Sequence, residues 1–221
     1  MPKPGGLIPG RGKGSPPQGD TFHHERLLYA QGYSRVAGTD EVGRGPLAGP
    51  VVASCVVLPV SCDYSLFRDS KTLSHARRVE LCAALASIGA AIGTGIVPAS
   101  TIDSINILQA SLLAMRQAYE DLCSRHDPPD FILVDGKFTI PAAIPQEALV
   151  KGDARSASIA AASIVAKVKR DALMDELHHR YPEFRFTRNK GYPTREHRLA
   201  ISRHGPCPEH RRTFRGVREF V

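Results

Sequence analysis

Residues 38–52 read GTDEVGRGPLAGPVV, a stretch that sets two acids, Asp40 and Glu41, side by side between strand-like segments. Like charges at contact distance raise each other's cost of ionisation unless something positive sits between them. Consecutive residues on a regular strand point to opposite faces. The two acids can therefore serve one site only if the strand stops or twists there, and Gly43, Arg44, Gly45 and Pro46 supply that stop.

Outward from this stretch the pattern alternates between strand and helix signals. RVAGTD and GPVVASCVVLP read as two strands, the second rich in β-branched residues and closed by Pro59. Ser74 is a good N-cap for HARRVELCAALAS, where Val79, Cys82 and Leu85 fall on one side. AAIGTGIV reads as a third strand ending at Pro98. After Ser100, Ile105, Leu108, Leu112, Met115, Tyr119 and Leu122 recur at helical spacing until DPPD breaks the pattern. FILV is a short apolar strand with the look of burial, and EALV supplies a fifth strand. SASIAAASIVAKVKRDALMDELHHR then runs helical, with Ala161, Ile164, Val165, Val168 and Ala172 along one stripe. Beyond Pro182 an Arg-rich, Pro-interrupted segment holds one helix, about Thr194 to His204. Strands first, then alternating helix and strand, argue for a mixed sheet covered by helices, in the α/β class.

The chain has 221 residues, 42% of them hydrophobic, enough for a real core in one domain with extensions or in two. Charged or polar residues interrupt every apolar run before it reaches a membrane span, and no secretory apolar stretch stands at the N-terminus. Five cysteines without a CxxC pair fit a reduced, cytoplasmic protein. Residues 1–20 are mostly Gly, Pro and Ser and read as a flexible tail, leaving 21–221 as the folded domain. The net charge of +7 is uneven: residues 1–20 hold +2, residues 21–180 hold −1, and residues 181–221 hold ten bases against four acids. A near-neutral body with a basic C-terminal end suits a polyanionic partner on one face.

Acids stand at the ends of the expected strands: Asp40 and Glu41 after the first, Asp135 after FILV, Asp153 after EALVKG. In an α/β sheet such positions converge on one crevice. Carboxylates gathered without histidine or cysteine suit a hard divalent cation, magnesium or manganese. Asp135 taken alone is equally a turn residue before Gly136. GRGPLAG is neither a P-loop nor a G-x-G-x-x-G fingerprint, yet its glycines would let backbone N–H groups approach a sugar or phosphate, unless the loop is simply a turn between strands. His204, Cys207 and His210 match no common zinc spacing and read as surface residues, and His23-His24 and His178-His179 as solvated ones. No serine sits in a nucleophile elbow.

Taken together and in order, GTDEVGRGPLAGPVVASCVVLP, DSKTLS, LVDG, KGDARSASIAAASIVAKVKRD and NKGYPTREHRLAISRHGPCPEHRRTF closely resemble the bacterial ribonuclease HII family, over about residues 23 to 215. The resemblance implies a ribonuclease-H-like fold, a five-stranded mixed sheet flanked by helices, with a helical, basic C-terminal extension at 181–221. The sibling ribonuclease HIII carries a sizeable extra N-terminal domain, so the short leader here favours HII. By resemblance, Asp40, Glu41 and Asp135 are metal ligands and Asp153 completes the catalytic acidic cluster. Gly43, Arg44 and Gly45 would meet the ribonucleotide's 2′-hydroxyl, and Tyr192 would pack on the sugar at the RNA–DNA junction. Lys71 of DSKTLS would add a phosphate contact, or is an ordinary surface lysine. Gly216 in TFRGV departs from the family's usual proline without touching the acids.

The implied activity is that of a monomeric, cytoplasmic endonuclease. It would use two Mn2+ or Mg2+ ions to cut the RNA strand of RNA–DNA hybrids, or at single ribonucleotides in duplex DNA, leaving 5′-phosphate and 3′-hydroxyl ends. Another nuclease of the same fold, such as a junction resolvase, and a non-catalytic nucleic-acid-binding module are the competing readings.

Overall fold

The computed structural model describes residues 20–67 and 73–221; Lys71 and the leader up to residue 19 lie outside them. Five strands form one sheet: β1 (Val36–Val42), β2 (Val51–Val57), β3 (Ala91–Val97), β4 (Phe131–Asp135) and β5 (Gln146–Leu149). Their spatial order is β3-β2-β1-β4-β5, with β1, β2 and β3 antiparallel and β4 and β5 parallel to β1. This is the mixed five-stranded sheet that the sequence implied. The helices are α1 (His23–Ala30), α2 (His75–Ser87), α3 (Ala99–Arg125), α4 (Ala157–Arg180), α5 (Phe186–Asn189) and α6 (Arg195–His204).

α3 covers one face of the sheet, packing on Ala37, Ala53, Cys55, Ile132 and Val134. The other face receives α4, whose Ala157, Ala160, Ala161 and Ile164 share a core with Val56 and Leu58, while Ile159 packs with Val36 and Leu133. The cap read from sequence holds, the Ser74 hydroxyl accepting the Arg77 N–H at 3.2 Å, and Thr194 proves to be the cap of α6, its hydroxyl accepting the His197 N–H at 3.2 Å.

The buried stripes differ from those expected. On α2 the inward residues are Leu81 and Leu85, and Val79 is 45% exposed. On α4 Ala172 faces solvent. On α3 the innermost line is Ala110, Ala114, Ala118 and Leu122, with Ile105, Leu112 and Tyr119 only flanking it. Gly93 and Gly95 of β3 explain the choice, because a Cβ on either would strike the α3 backbone at Ala118 or Ala114. Main-chain contact this close needs small residues on the helix. α3 also breaks at Asn106 (φ 67°), whose side chain accepts the N–H groups of Leu108 and Gln109 at 3.0 and 3.1 Å and recaps the second segment. α1 had no clear sequence signal.

The basic C-terminal segment is docked rather than trailing. Phe184, Phe186, Ala200, Ile201, Cys207 and Val217 form a core with Leu47 and Ala48 from the loop after β1 and with Met174 and Leu177 from α4.

The approach of α4 to β1 depends on Gly38, where an added Cβ would overlap the Ser158 and Ile159 main chain. Gly38→Ala is expected to lose about 3 kcal/mol or more of stability, because backbone on both sides cannot yield as a side chain does. A urea midpoint equal to that of the unaltered protein would refute this close-packing account.

Candidate active site

Asp40 and Asp135 come together because β1 and β4 are parallel neighbours. Their register pairs Thr39 with Val134, so each acid is the next residue on its strand. Such strands lie about 4.8 Å apart. Alternation puts Asp40 on the face of Val36 and Gly38, and Asp135 on that of Phe131 and Leu133, which is the α4 side for both. Asp40 is buried and accepts the Glu41 N–H at 2.7 Å; Ser163 of α4 also hydrogen-bonds its carboxylate. Burial, followed by repulsion from Glu41 and Asp135, lifts its pKa well above the ordinary carboxylate range. Asp135 accepts the Gly152 N–H at 2.6 Å, which ties β4 to the turn Gly152–Ala154 and brings in Asp153, itself buried.

Glu41 behaves differently. The sequence placed the acidic pair beyond the strand, but β1 runs through Val42, paired with Val52 of β2, so both acids lie within it. By alternation Glu41 leaves the strand opposite to Asp40. Its carboxylate meets Arg44 Nη1 at 3.0 Å. Burial raises its pKa and Asp135 adds to the rise, while Arg44 opposes it. Among the described residues, no three His, Cys, Asp or Glu groups stand together as a ready metal cage. The donor set nevertheless fits a hard cation: all oxygen, mutually repelling, and largely removed from water.

Beside the acids, the loop 43–50 is held from beneath by two buried arginines that the sequence reading missed. Arg211 donates to the carbonyls of Gly43 (2.5 Å), Arg44 (3.0 Å) and Gly49 (2.9 and 3.1 Å). Arg170 of α4 donates to those of Pro50 (3.0 Å), Ala48 (3.2 Å) and Lys190 (3.0 Å). Burial lowers both pKa values, to about 10 for Arg170 and about 9 for Arg211, and both remain cations at neutral pH. Peptide planarity then has a consequence. With the Gly43 and Arg44 carbonyls drawn inward, the N–H groups of Arg44 and Gly45 turn outward, and no described backbone carbonyl accepts from them. Gly43 takes φ +97° and touches Arg170, so no side chain fits there.

Tyr192 stands across this loop, 41% exposed, its ring in van der Waals range of the space beside Gly45. Its turn is joined to the loop by the Leu47 N–H donating to the Gly191 carbonyl at 2.7 Å. The structure thus sets Asp40, Glu41 and Asp135 within electrostatic reach of one another, with Asp153 next in sequence to the Gly152 N–H that Asp135 accepts, and Tyr192 across the adjoining loop 43–45. Arg185, Arg188, Arg195, Arg198, Arg203, Arg212, Arg215 and Arg218 are all exposed on the C-terminal segment. Cys207 and His210 are not surface residues as expected: both are buried, and His210 hydrogen-bonds His197. Consecutive basic residues in VKRD and EHRRTF offered no way to tell which arginine turns inward.

The family model described as Ribonuclease HII matches residues 37–217. A protein of Desulfotalea psychrophila named Ribonuclease HII is 58% identical over 202 residues, which is 91% of this chain and 90% of that one. The crystal structure of ribonuclease H2 from Pyrococcus horikoshii OT3 superposes with a TM-score of 0.68 at 28% identity, covering 85% of this chain and 97% of that one. A Bst-RNase HIII structure in complex with Mn2+ shares the fold at 16% identity, with a TM-score of 0.66 over 84% of this chain and 68% of that one.

The raised pKa of Asp40 sets a sign for stability. The folded protein binds this proton more tightly than the unfolded chain does. The stability so contributed is complete below the ordinary carboxylate pKa and is lost as pH rises through the raised value. Without divalent ions, Asp40→Asn is expected to melt a few degrees higher than the unaltered protein near about pH 8, the gap closing as pH falls. Differential scanning calorimetry across pH checks this, and a variant melting lower throughout would contradict it.

Proposed function

The chain belongs to the ribonuclease HII family, and from that membership we propose that it cuts RNA strands paired with DNA, and single ribonucleotides embedded in duplex DNA. It is a ribonuclease H, a hydrolytic nuclease. One observation carries the finer reading: buried Asp40 and part-buried Asp135 meet at the carboxyl ends of adjacent parallel strands, beside a loop with outward N–H groups faced by an exposed tyrosine.

Asp40, Glu41 and Asp135 would hold divalent metal, Mn2+ or Mg2+, with Asp153 closing the acidic cluster. Metal held by these carboxylates would offset their charge, polarise the scissile phosphate and lower the cost of ionising the attacking water. Water adds to phosphorus and the bond to the 3′-oxygen breaks, leaving 5′-phosphate and 3′-hydroxyl ends. The N–H groups of Arg44 and Gly45 would meet a 2′-hydroxyl, the one group distinguishing a ribonucleotide from its neighbours. Tyr192 offers an aromatic face to the adjoining deoxyribose, where an extra hydroxyl would be crowded.

The exposed arginines of 181–221 hold the duplex by its phosphates and read no sequence. The sequence-based role of Lys71 as a phosphate contact stays a proposal of the same kind. We read the enzyme as a monomer. Its five cysteines are free, in keeping with the cytoplasm, and among the described residues no helix is long and apolar enough to cross a membrane.

The deciding assay uses duplex DNA with one ribonucleotide, with and without Mn2+ or Mg2+, and maps the cut. Metal-dependent cleavage at the ribonucleotide is expected. Asp40→Asn should lose cleavage by about a thousandfold or more while still binding the duplex, in line with loss of a group that supports the metal-assisted step. Cleavage by this variant at the unaltered rate under saturating Mn2+ would sink the assignment. Cutting of a four-way DNA junction in preference to the ribonucleotide would favour the resolvase reading.

A further inference from the structure

Two buried histidines beneath Tyr192 have no part in the chemistry above. His197 of α6 and His210 of the C-terminal segment are both almost fully enclosed, and their Nε2 atoms lie 3.0 Å apart. At its other end His197 has Nδ1 at 2.9 Å from the Tyr192 carbonyl. His210 has Nδ1 at 3.0 Å from the Cys207 backbone nitrogen and at 3.1 Å from the Cys207 sulfur.

Only one proton arrangement satisfies all of these contacts. The Cys207 N–H is a fixed donor, so His210 Nδ1 accepts and a neutral His210 carries its proton on Nε2. That proton can go only to His197 Nε2, which must therefore be bare. His197 then carries its own proton on Nδ1 and donates it to the Tyr192 carbonyl. A second proton on His197 would set its Nε2–H against that of His210 across 3.0 Å, and one on His210 would set its Nδ1–H against the Cys207 N–H, also across 3.0 Å.

The surroundings keep both rings neutral. Phe184 and Phe186 enclose them, with ring centroids 4.6 Å from His210 and 5.5 Å from His197 respectively. His204 touches only the edge of Phe184, and the carboxylates of Glu183 and Glu209 act on Cys207 behind the pair. Burial lowers the pKa of His197 and takes that of His210 to about 4. The directed chain runs from Cys207 through both rings and ends on the main chain of the residue that faces Gly45.

We propose that His197 and His210 are positioning residues that fix the attitude of Tyr192, and thereby set the preference for a single embedded ribonucleotide over a continuous RNA–DNA hybrid. The inference rests on the junction role proposed above for Tyr192. A long hybrid offers no RNA–DNA junction at most cutting positions, so it depends little on where the tyrosine ring stands. The single ribonucleotide always presents one.

The test compares kcat/KM on the two substrates for the unaltered enzyme, Tyr192→Ala, His197→Leu and His197→Asn. His197→Leu is expected to lower the ratio of single-ribonucleotide to hybrid cleavage about fivefold, the equivalent of one neutral hydrogen bond. His197→Asn, whose side-chain N–H can stand where Nδ1–H stood, is expected to recover most of that ratio, which a merely structural role for the ring would not predict. A selective loss in Tyr192→Ala with an unchanged ratio in His197→Leu overturns this inference alone. Equal losses on both substrates in Tyr192→Ala overturn the junction reading, and this inference with it. Should His197→Leu fail to fold, ring-nitrogen chemical shifts of the unaltered protein at neutral pH decide: the proton is expected on Nδ1 of His197 and Nε2 of His210, and the opposite tautomers overturn the proposal.

Discussion

Asp40 and Asp135 repel each other across neighbouring parallel strands, and much of the fold serves to hold them there against that repulsion. Strand pairing fixes the separation through main-chain hydrogen bonds that are indifferent to side-chain charge. α4 can close over Asp40, and bring Ser163 to it, because β1 has no side chain at Gly38. On the β4 side, Asp135 is satisfied by the Gly152 N–H, so the turn carrying Asp153 is drawn to the same end of the sheet. A buried carboxylate with too few donors would take up a proton or leave. Burial and its acidic neighbours already make the charged form of Asp40 costly, and an arriving cation would relieve that cost.

A second device works by the opposite sign. Arg170 and Arg211 are cations buried largely against main-chain carbonyls, with Phe214 lying 5.0 Å below the Arg211 guanidinium. Removing a guanidinium from water is unfavourable unless its donors are used. Here they are used on the loop 43–50 and on Lys190, so the two side chains join the acidic strand end, the loop and the Tyr192 turn into one piece. Truncation of either arginine leaves several carbonyls unpaired in the interior. The loop owes its shape as much to these two distant residues as to its own glycines.

The sheet was legible because its signals are local. FILV and CVV are continuous apolar runs, Ser74 and Thr194 cap the helices that follow them, and Pro59 and Pro98 stand just beyond two strand ends. Asp135 was legible for the same reason, since it follows FILV, whereas Asp40 stood out by its acidic neighbour and lies within β1, which runs on to Val42. The alanine face of α3 was not, because it is set by Gly93 and Gly95 on another element. Nor were the inward arginines: Arg211 and Arg212 are neighbours in sequence, one buried against Gly43 and the other exposed, and only the path of the docked segment separates them. Cys207 and His210 read as surface residues because their prolines and charges look like a loop, and Phe184 encloses His210 from far along the chain.

Glu41 shows how far local reading reaches. Adjacent acids need a positive partner, and in this structure Arg44 is that partner for Glu41, three residues away. The pair is held weakly, however. About half of the Arg44 side chain is exposed, and ion pairs of that kind are worth under about 1 kcal/mol. A divalent cation held, as proposed, by Asp40, Glu41 and Asp135 would compete with Arg44 for Glu41, carrying twice the charge. Displacement of Arg44 would leave a guanidinium at the mouth of the site, with its main-chain carbonyl still pinned by Arg211 at 3.0 Å. The side chain is thus free to move while the backbone that presents the loop's N–H groups is not.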